Sequence, residues 1–338
     1  MEKEEVIRAL PKVEQHIHII GSIRPETLLW LAENLEYDSP FTELEEVERY
    51  FRYRDFDHFI EVYTTVDDHI SNERQFERIT YEMIEDEAKG NVRHVECIFS
   101  AWDMIRRGLD YGEILDAINS GLRKGLRDFG VSSSIRIDLV RNYGPEIGLE
   151  VLRAIEEKCE NIVAIDLGGS ESGFPASPYK EVYSRAKDLG LHRVAHAGEA
   201  AGPESIWQAI EIGAERIGHG VAAREDSRLI EYLRDNRIPI ECCPTSNVRT
   251  GSIDSIKNHP IRDFYDRGLI VTVNTDDPSM FNTNMNHEYL ELNKHLGFSI
   301  SELYQISVNA LNTSFMEKER RADLIEEFDR EYQKLYNR

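Results

Sequence analysis

Histidines and carboxylates recur in this chain at spacings that suit one divalent metal ion. His16-Ile17-His18 puts two imidazoles on one face of an extended segment, because alternate strand residues point the same way. His196 stands in His196-Ala197-Gly198-Glu199, His219 in Gly218-His219-Gly220, and Asp276 in Asn274-Thr275-Asp276-Asp277-Pro278. The neutral imidazoles of His16, His18 and His196 with the Asp276 carboxylate suit one zinc ion per chain and leave a position for water. An ion so held lowers the pKa of its water to roughly 7, which makes hydroxide available at neutral pH.

The neighbours of these ligands extend the chemistry. Glu199 follows His196 by three residues. A partly desolvated carboxyl group there has a raised pKa and can hand a proton to a ring nitrogen or leaving group. His219, between two glycines, is placed to hydrogen-bond the water and take or stabilise its proton. Asp277 is placed to orient that water and a substrate nitrogen. Gly168-Gly169 suggests close approach of backbone to a ligand, and Cys243-Pro244-Thr245-Ser246-Asn247 offers hydroxyls and an amide around the ligands. Each feature alone is weak, since a single His ending a strand is more often a satisfied polar residue than a ligand. Their conjunction carries the reading. His58, His69, His94, His192, His259, His287 and His295 lack this placement and read as structural or surface residues.

Residues about 260 positions apart meet at one ion only if the fold delivers strand ends to one mouth. Eight β-branched, strand-like runs are present, at 13–19, 94–100, 133–140, 161–167, 192–196, 214–219, 238–243 and 269–275. Amphipathic helical patterns separate them, which implies parallel strands joined by right-handed crossovers. Eight such units predict an α/β fold, a closed (β/α)8 TIM barrel, with each metal-site segment at a strand's C-terminal end. The long stretch 21–91 after the first strand is expected to form a helical lid over the mouth, and 299–338 to add helices outside. No linker or low-complexity tract interrupts the chain, so residues 1–338 read as one domain.

Composition narrows the function classes. Apolar residues make up 41% and charged residues 30%, as in a globular protein. No apolar run reaches the roughly 18–20 residues of a membrane span, and Met1-Glu2-Lys3-Glu4-Glu5 does not read as a signal peptide. The net charge of −23 argues against nucleic acid and anionic membranes as partners, because both need a positive field. Cys97, Cys159, Cys242 and Cys243 lack metal-finger or CxxC spacing and read as reduced thiols of a cytoplasmic protein. Nothing in the sequence points to one oligomeric state.

In combination and order, these motifs resemble the adenosine deaminase family of metal-dependent amidohydrolases over nearly the whole chain. The resemblance rests on Leu10-Pro11-Lys12-Val13-Glu14 leading to His16 and His18, Ser22-Ile23-Arg24-Pro25-Glu26, Ile165-Asp166-Leu167-Gly168-Gly169, His196 to Glu199, Arg216-Ile217-Gly218-His219-Gly220, Cys243 to Val248, and Asn274 to Pro278. It implies zinc on His16, His18, His196 and Asp276. It implies that Glu199 protonates purine N1 while hydroxide adds to C6, with His219 and Asp277 activating the hydroxide. Asp277 would also lie near N7, the Gly169 backbone would meet N3, and Phe56, Phe59 and Ile60 would line an apolar lid. The fourth strand run carries no lysine, the residue that bridges two metals in some relatives, so one ion is expected.

One departure concerns the substrate. Adenosine-specific members of the family carry Asp two residues after the second His, where it meets the ribose 5′-hydroxyl; this chain carries Ile20. Ile20 would therefore face an apolar 5′-substituent. The expected reaction is zinc-dependent removal of the 6-amino group from adenosine, 2′-deoxyadenosine or a 5′-modified relative, with release of ammonia. Alternatives are aminodeoxyfutalosine, adenine, or an adenosine nucleotide such as N6-methyl-AMP as substrate. Other classes are a barrel hydrolase of esters or amides and a non-catalytic nucleoside-binding protein.

Overall fold

A computed structural model describes residues 2–35 and 37–336 of the chain. Eight parallel strands follow one another in sequence order: β1 (Lys12–His18), β2 (Val92–Phe99), β3 (Ser132–Asp138), β4 (Ile162–Asp166), β5 (His192–Ala197), β6 (Arg216–His219), β7 (Ile240–Cys242) and β8 (Val271–Val273). Each strand pairs in parallel with the next. The fold is a (β/α)8 barrel, as the strand count predicts, and every strand ends within two residues of its expected bounds.

The ring closes between β8 and β1 through short, specific contacts. His18 N–H donates to the Asp276 carbonyl at 2.8 Å, and Asp276 N–H donates to the His16 carbonyl at 2.9 Å. The buried Glu14 carboxylate accepts from the backbone N–H groups of His16 and Thr275, both at 2.9 Å, and from the Thr275 hydroxyl at 2.8 Å. One side chain therefore ties two segments that lie 261 residues apart.

Apolar strand residues face the helices. Val13 packs with Leu311 of the helix Ile300–Thr313 and with Leu324 and Phe328 of Lys318–Tyr336. The barrel interior beneath the mouth is different. Arg136, Arg216, Glu96, Asp166 and Glu241 are buried there, where barrels usually stack branched apolar side chains. Within residues 21–91, the helices Pro25–Ala32, Leu44–Tyr50 and Phe56–Asp67 precede Gln75–Lys89, which packs outside against Tyr111–Phe129. Phe56–Asp67 starts where the Asp55 carboxylate accepts His58 N–H, and it buries Phe59, Val62 and Val66, one stripe at helical spacing. Among the described residues, no helix is long and apolar enough to cross a membrane.

Candidate active site

The strand ends bring four of the expected ligands together. One donor atom each from His16 and His18 on β1, His196 on β5 and Asp276 after β8 lie within 4.8 Å of one another, and all four residues are buried. Asp276 Oδ1 is 3.4 Å from His16 Nε2 and 3.3 Å from His18 Nε2, and the two Nε2 atoms of His18 and His196 are 3.3 Å apart. Bonds of about 2.0–2.1 Å in a tetrahedral set separate donors by about 3.3 Å, so these spacings match a zinc-sized ion. Asp276 reaches the cluster on a left-handed backbone (φ 66), a conformation that a non-glycine residue holds only where its surroundings enforce it.

Charges behind the ligands orient them. His16 Nδ1–H donates to Glu241 at 2.8 Å and His196 Nδ1–H to Asp166 at 3.0 Å, which leaves each Nε2 lone pair facing the cluster. Arg136 spans these two carboxylates, and Arg216 pairs with Glu96 and Glu241. Burial opposes ionisation of Glu241, but Arg136 and Arg216 overcome it and hold the carboxyl down at about 2. Ser246 Oγ donates to the remaining oxygen of Asp276 at 2.6 Å. The cluster fits a cation on its own chemistry. His16 Nε2 is buried without a hydrogen-bond partner. Burial disfavours charge on His16, yet Asp276 and Glu241 outweigh it and lift its pKa to about 9.

Glu199, His219 and Asp277 lie beside the cluster. His219 Nε2 is 3.6 Å from Glu199 and 3.9 Å from Asp276. Burial, then the Asp276 and Glu171 charges, push the Glu199 carboxyl well above the ordinary range. Burial and the adjacent Asp276 do the same to Asp277, whose Oδ1 is buried without a partner. Gly21 makes room for it, since a Cβ on residue 21 would sit 1.8 Å from that oxygen. The loop carrying Glu199 is fixed by Glu171, whose carboxylate accepts the N–H groups of Gly198 at 2.7 Å, Glu199 at 2.8 Å, Ala200 at 2.6 Å and Ala201 at 3.1 Å.

His18, His196, Asp276, Glu199, His219 and Asp277 open onto one cavity of about 280 Å³, which His16 does not line. Gly169 lines it, as do Phe56, Phe59 and Ile60 from the lid segment. Tyr63, Tyr143 and Asp138 share the wall, the last accepting Ser100 Oγ at 2.9 Å and Gly168 N–H at 2.6 Å. Ile20 is not among the lining residues. It is 2% exposed, packed into the apolar core on the turn after β1.

Sequence reasoning missed Glu171, Glu241, Arg136 and Asp138. Arg136, Asp138 and Glu241 did leave a trace, as charges inside otherwise apolar strand runs, where burial demands a partner. Glu171 left none, because its hydrogen bonds go to backbone 27 to 30 residues away.

Three kinds of comparison agree on kinship. The family model described as adenosine deaminase matches residues 11–331. Among curated proteins, the aminodeoxyfutalosine deaminase of Streptomyces coelicolor is 36% identical over 96% of this chain and 84% of its own length. Among solved structures, the adenine deaminase of Arthrobacter aurescens superposes with a TM-score of 0.91 at 31% identity, over 95% of this chain and 98% of that one. An amidohydrolase from Burkholderia ambifaria with bound Zn superposes with a TM-score of 0.91 at 25% identity, over 99% and 93% of the two chains.

Proposed function

The chain belongs to the adenosine deaminase family and is a deaminase; from that premise we propose that it removes the 6-amino group of a purine nucleoside hydrolytically, as ammonia, with one zinc ion per chain. The observation that carries this reading is the convergence of His16, His18, His196 and Asp276 beside the Glu199 carboxyl at one cavity. Zinc is favoured by the three-imidazole, one-carboxylate donor set and by the zinc-bearing Burkholderia relative. Bound there, the ion would supply Lewis acidity that makes a water nucleophilic near neutral pH.

The side chains supply the rest. Water can add to C6 only if the ring accepts an electron pair, which requires a proton on N1. Glu199 gives that proton, because burial keeps its carboxyl protonated where a surface glutamate is ionised. Asp277 accepts a proton from the attacking water in its ionised form, which a divalent ion held by the neighbouring Asp276 would favour against the burial that opposes it, and it faces N7. His219 contacts the same water. The Gly169 backbone meets N3, and Phe56, Phe59 and Ile60 cover the ring and exclude bulk water. Asp277 then returns its proton to the amino nitrogen, the C6–N bond breaks to release ammonia, and the C6 hydroxyl proton passes to the Glu199 carboxylate as the carbonyl forms.

Within purine nucleosides, a 5′-modified substrate is favoured over free adenosine, with aminodeoxyfutalosine as the specific candidate. Phe56, Ile60, Tyr63 and Tyr143 on the cavity wall present apolar and aromatic surface to a larger 5′-substituent. The Streptomyces relative carries that activity in its name. The test is ammonia release by zinc-loaded protein from adenine, adenosine, 2′-deoxyadenosine, 5′-methylthioadenosine, AMP, N6-methyl-AMP and aminodeoxyfutalosine. Turnover is expected on nucleosides, highest with aminodeoxyfutalosine. Best turnover on free adenosine would remove the 5′ preference, and no turnover on any 6-aminopurine would remove the function.

A further inference from the structure

His259 has no place in the chemistry above, and the sequence gives it only a structural role. It lies near the mouth of β7, is 3% exposed, and heads a buried chain of hydrogen bonds that ends on His219. The first link is the backbone N–H of Ile261, 3.2 Å from His259 Nδ1. A backbone N–H can only donate, so Nδ1 carries the lone pair and the neutral ring's proton sits on Nε2. Burial, with Arg224 adding to it, holds the pKa of His259 down to about 3, which keeps the ring neutral. Its Nε2 is 3.2 Å from Asn247 Oδ1 and donates to it. The Asn247 amide is thereby oriented with its nitrogen toward His219, and Nδ2 donates to His219 Nδ1 across 3.1 Å. Asn247 is 0% exposed and His219 1%, so no solvent competes for either side chain.

We propose that Asn247 and His259 are positioning residues that fix the tautomer of His219, holding its proton on Nε2 so that it presents a hydrogen-bond donor, and not a base, to the reacting oxygen. A proton on His219 Nδ1 would face the Asn247 amide hydrogens. Turning the amide to relieve that clash would set its NH2 against His259 Nε2–H. Both alternatives bury a donor against a donor, which costs more than the hydrogen bond itself returns. His219 thus stabilises negative charge developing on the attacking oxygen, and proton acceptance falls to Asp277.

This inference rests on the deaminase reading, but its primary test does not need a substrate. Zinc-loaded protein labelled with 15N in histidine reports each ring's tautomer through its two nitrogen shifts, with His219 and His259 assigned by substitution. Both rings are expected as the Nε2–H tautomer. Asn247→Asp offers acceptors to both neighbours, so His219 is expected to move its proton to Nδ1. With the best substrate, kcat should fall about 10²–10³-fold, the scale of losing one donor to the reacting oxygen, while KM moves by less than about threefold. His259→Gln keeps a donor toward Asn247 and should retain the His219 signature and most of kcat, whereas His259→Phe should lose both. A wild-type His219 protonated on Nδ1, or an Asn247→Asp protein whose His219 tautomer is unchanged, would overturn the proposal. Should Asn247→Asp fail to fold, the wild-type spectrum and the His259 pair decide alone.

Discussion

The two walls of the cavity are built on opposite principles. The barrel wall is ionic. His16, His196 and Asp276 are each oriented by a second buried polar group, Glu241, Asp166 and Ser246 respectively, and Arg136 ties the first two supports together. The lid wall is mostly apolar, with Thr64 and Asp67 its polar members. Phe59 packs on Tyr53 and Phe281 with ring centroids 5.3 and 5.0 Å apart, and the Tyr53 hydroxyl donates to the Met280 carbonyl on the barrel's β8 side at 3.1 Å. Directional, costly partners fix geometry, and contact surface admits variation. Under the proposed function, the barrel wall would carry the reaction and the lid wall the choice of substrate.

Substitutions that break the barrel wall should act on turnover. Glu199→Gln keeps the shape and removes the proton, so kcat should fall by about 10²–10⁴-fold with zinc content unchanged, as read by ammonia release and metal analysis. Glu241→Gln leaves His16 without its anionic partner, and zinc affinity measured by competition with a chelator should weaken by about 10–100-fold.

Substitutions in the lid wall should act on binding. Phe56→Ala removes apolar cover from a half-buried position, and KM is expected to rise about tenfold, the loss of roughly 1.4 kcal/mol of contact, with kcat nearly unchanged. Equal losses in kcat would mean that the lid also sets geometry. The smallest effect concerns Asp67 at the end of the lid helix. Burial, then the Asp103 charge, raise its pKa to about 8. The folded state therefore resists an ionisation that the unfolded chain undergoes near pH 4, and the cost grows as pH rises from about 4 to 8. Asp67→Asn escapes that cost but gives up the carboxyl that Arg107 meets at 3.4 Å. Its Tm relative to the unsubstituted protein should climb by about 2 °C or more between those pH values; a flat difference would mean that the carboxylate ionises freely in the fold.

The same contrast explains what could be read from the chain. Barrel-wall chemistry was legible because the strand period puts His16 and His18 on one face, and because eight β-branched runs force distant strand ends to one mouth. The lid was legible only as a long interruption. Ile20, expected at the sugar, turns into the core because a 3-10 turn follows β1 and reverses the strand alternation. Glu171 and the Asn247–His259 chain act through partners that only the folded barrel brings near.

The central claim is that four side chains from three strand ends close on one ion beside a protonated glutamate. Zinc stoichiometry, measured together with ammonia release on the same protein samples, tests it most directly. One ion per chain is expected in the unsubstituted protein and in Glu199→Gln, and none retained in Asp276→Ala, with ammonia released by the unsubstituted protein alone. An Asp276→Ala protein that holds zinc as tightly as its parent, or a Glu199→Gln protein that still deaminates at the parent rate, would contradict the account.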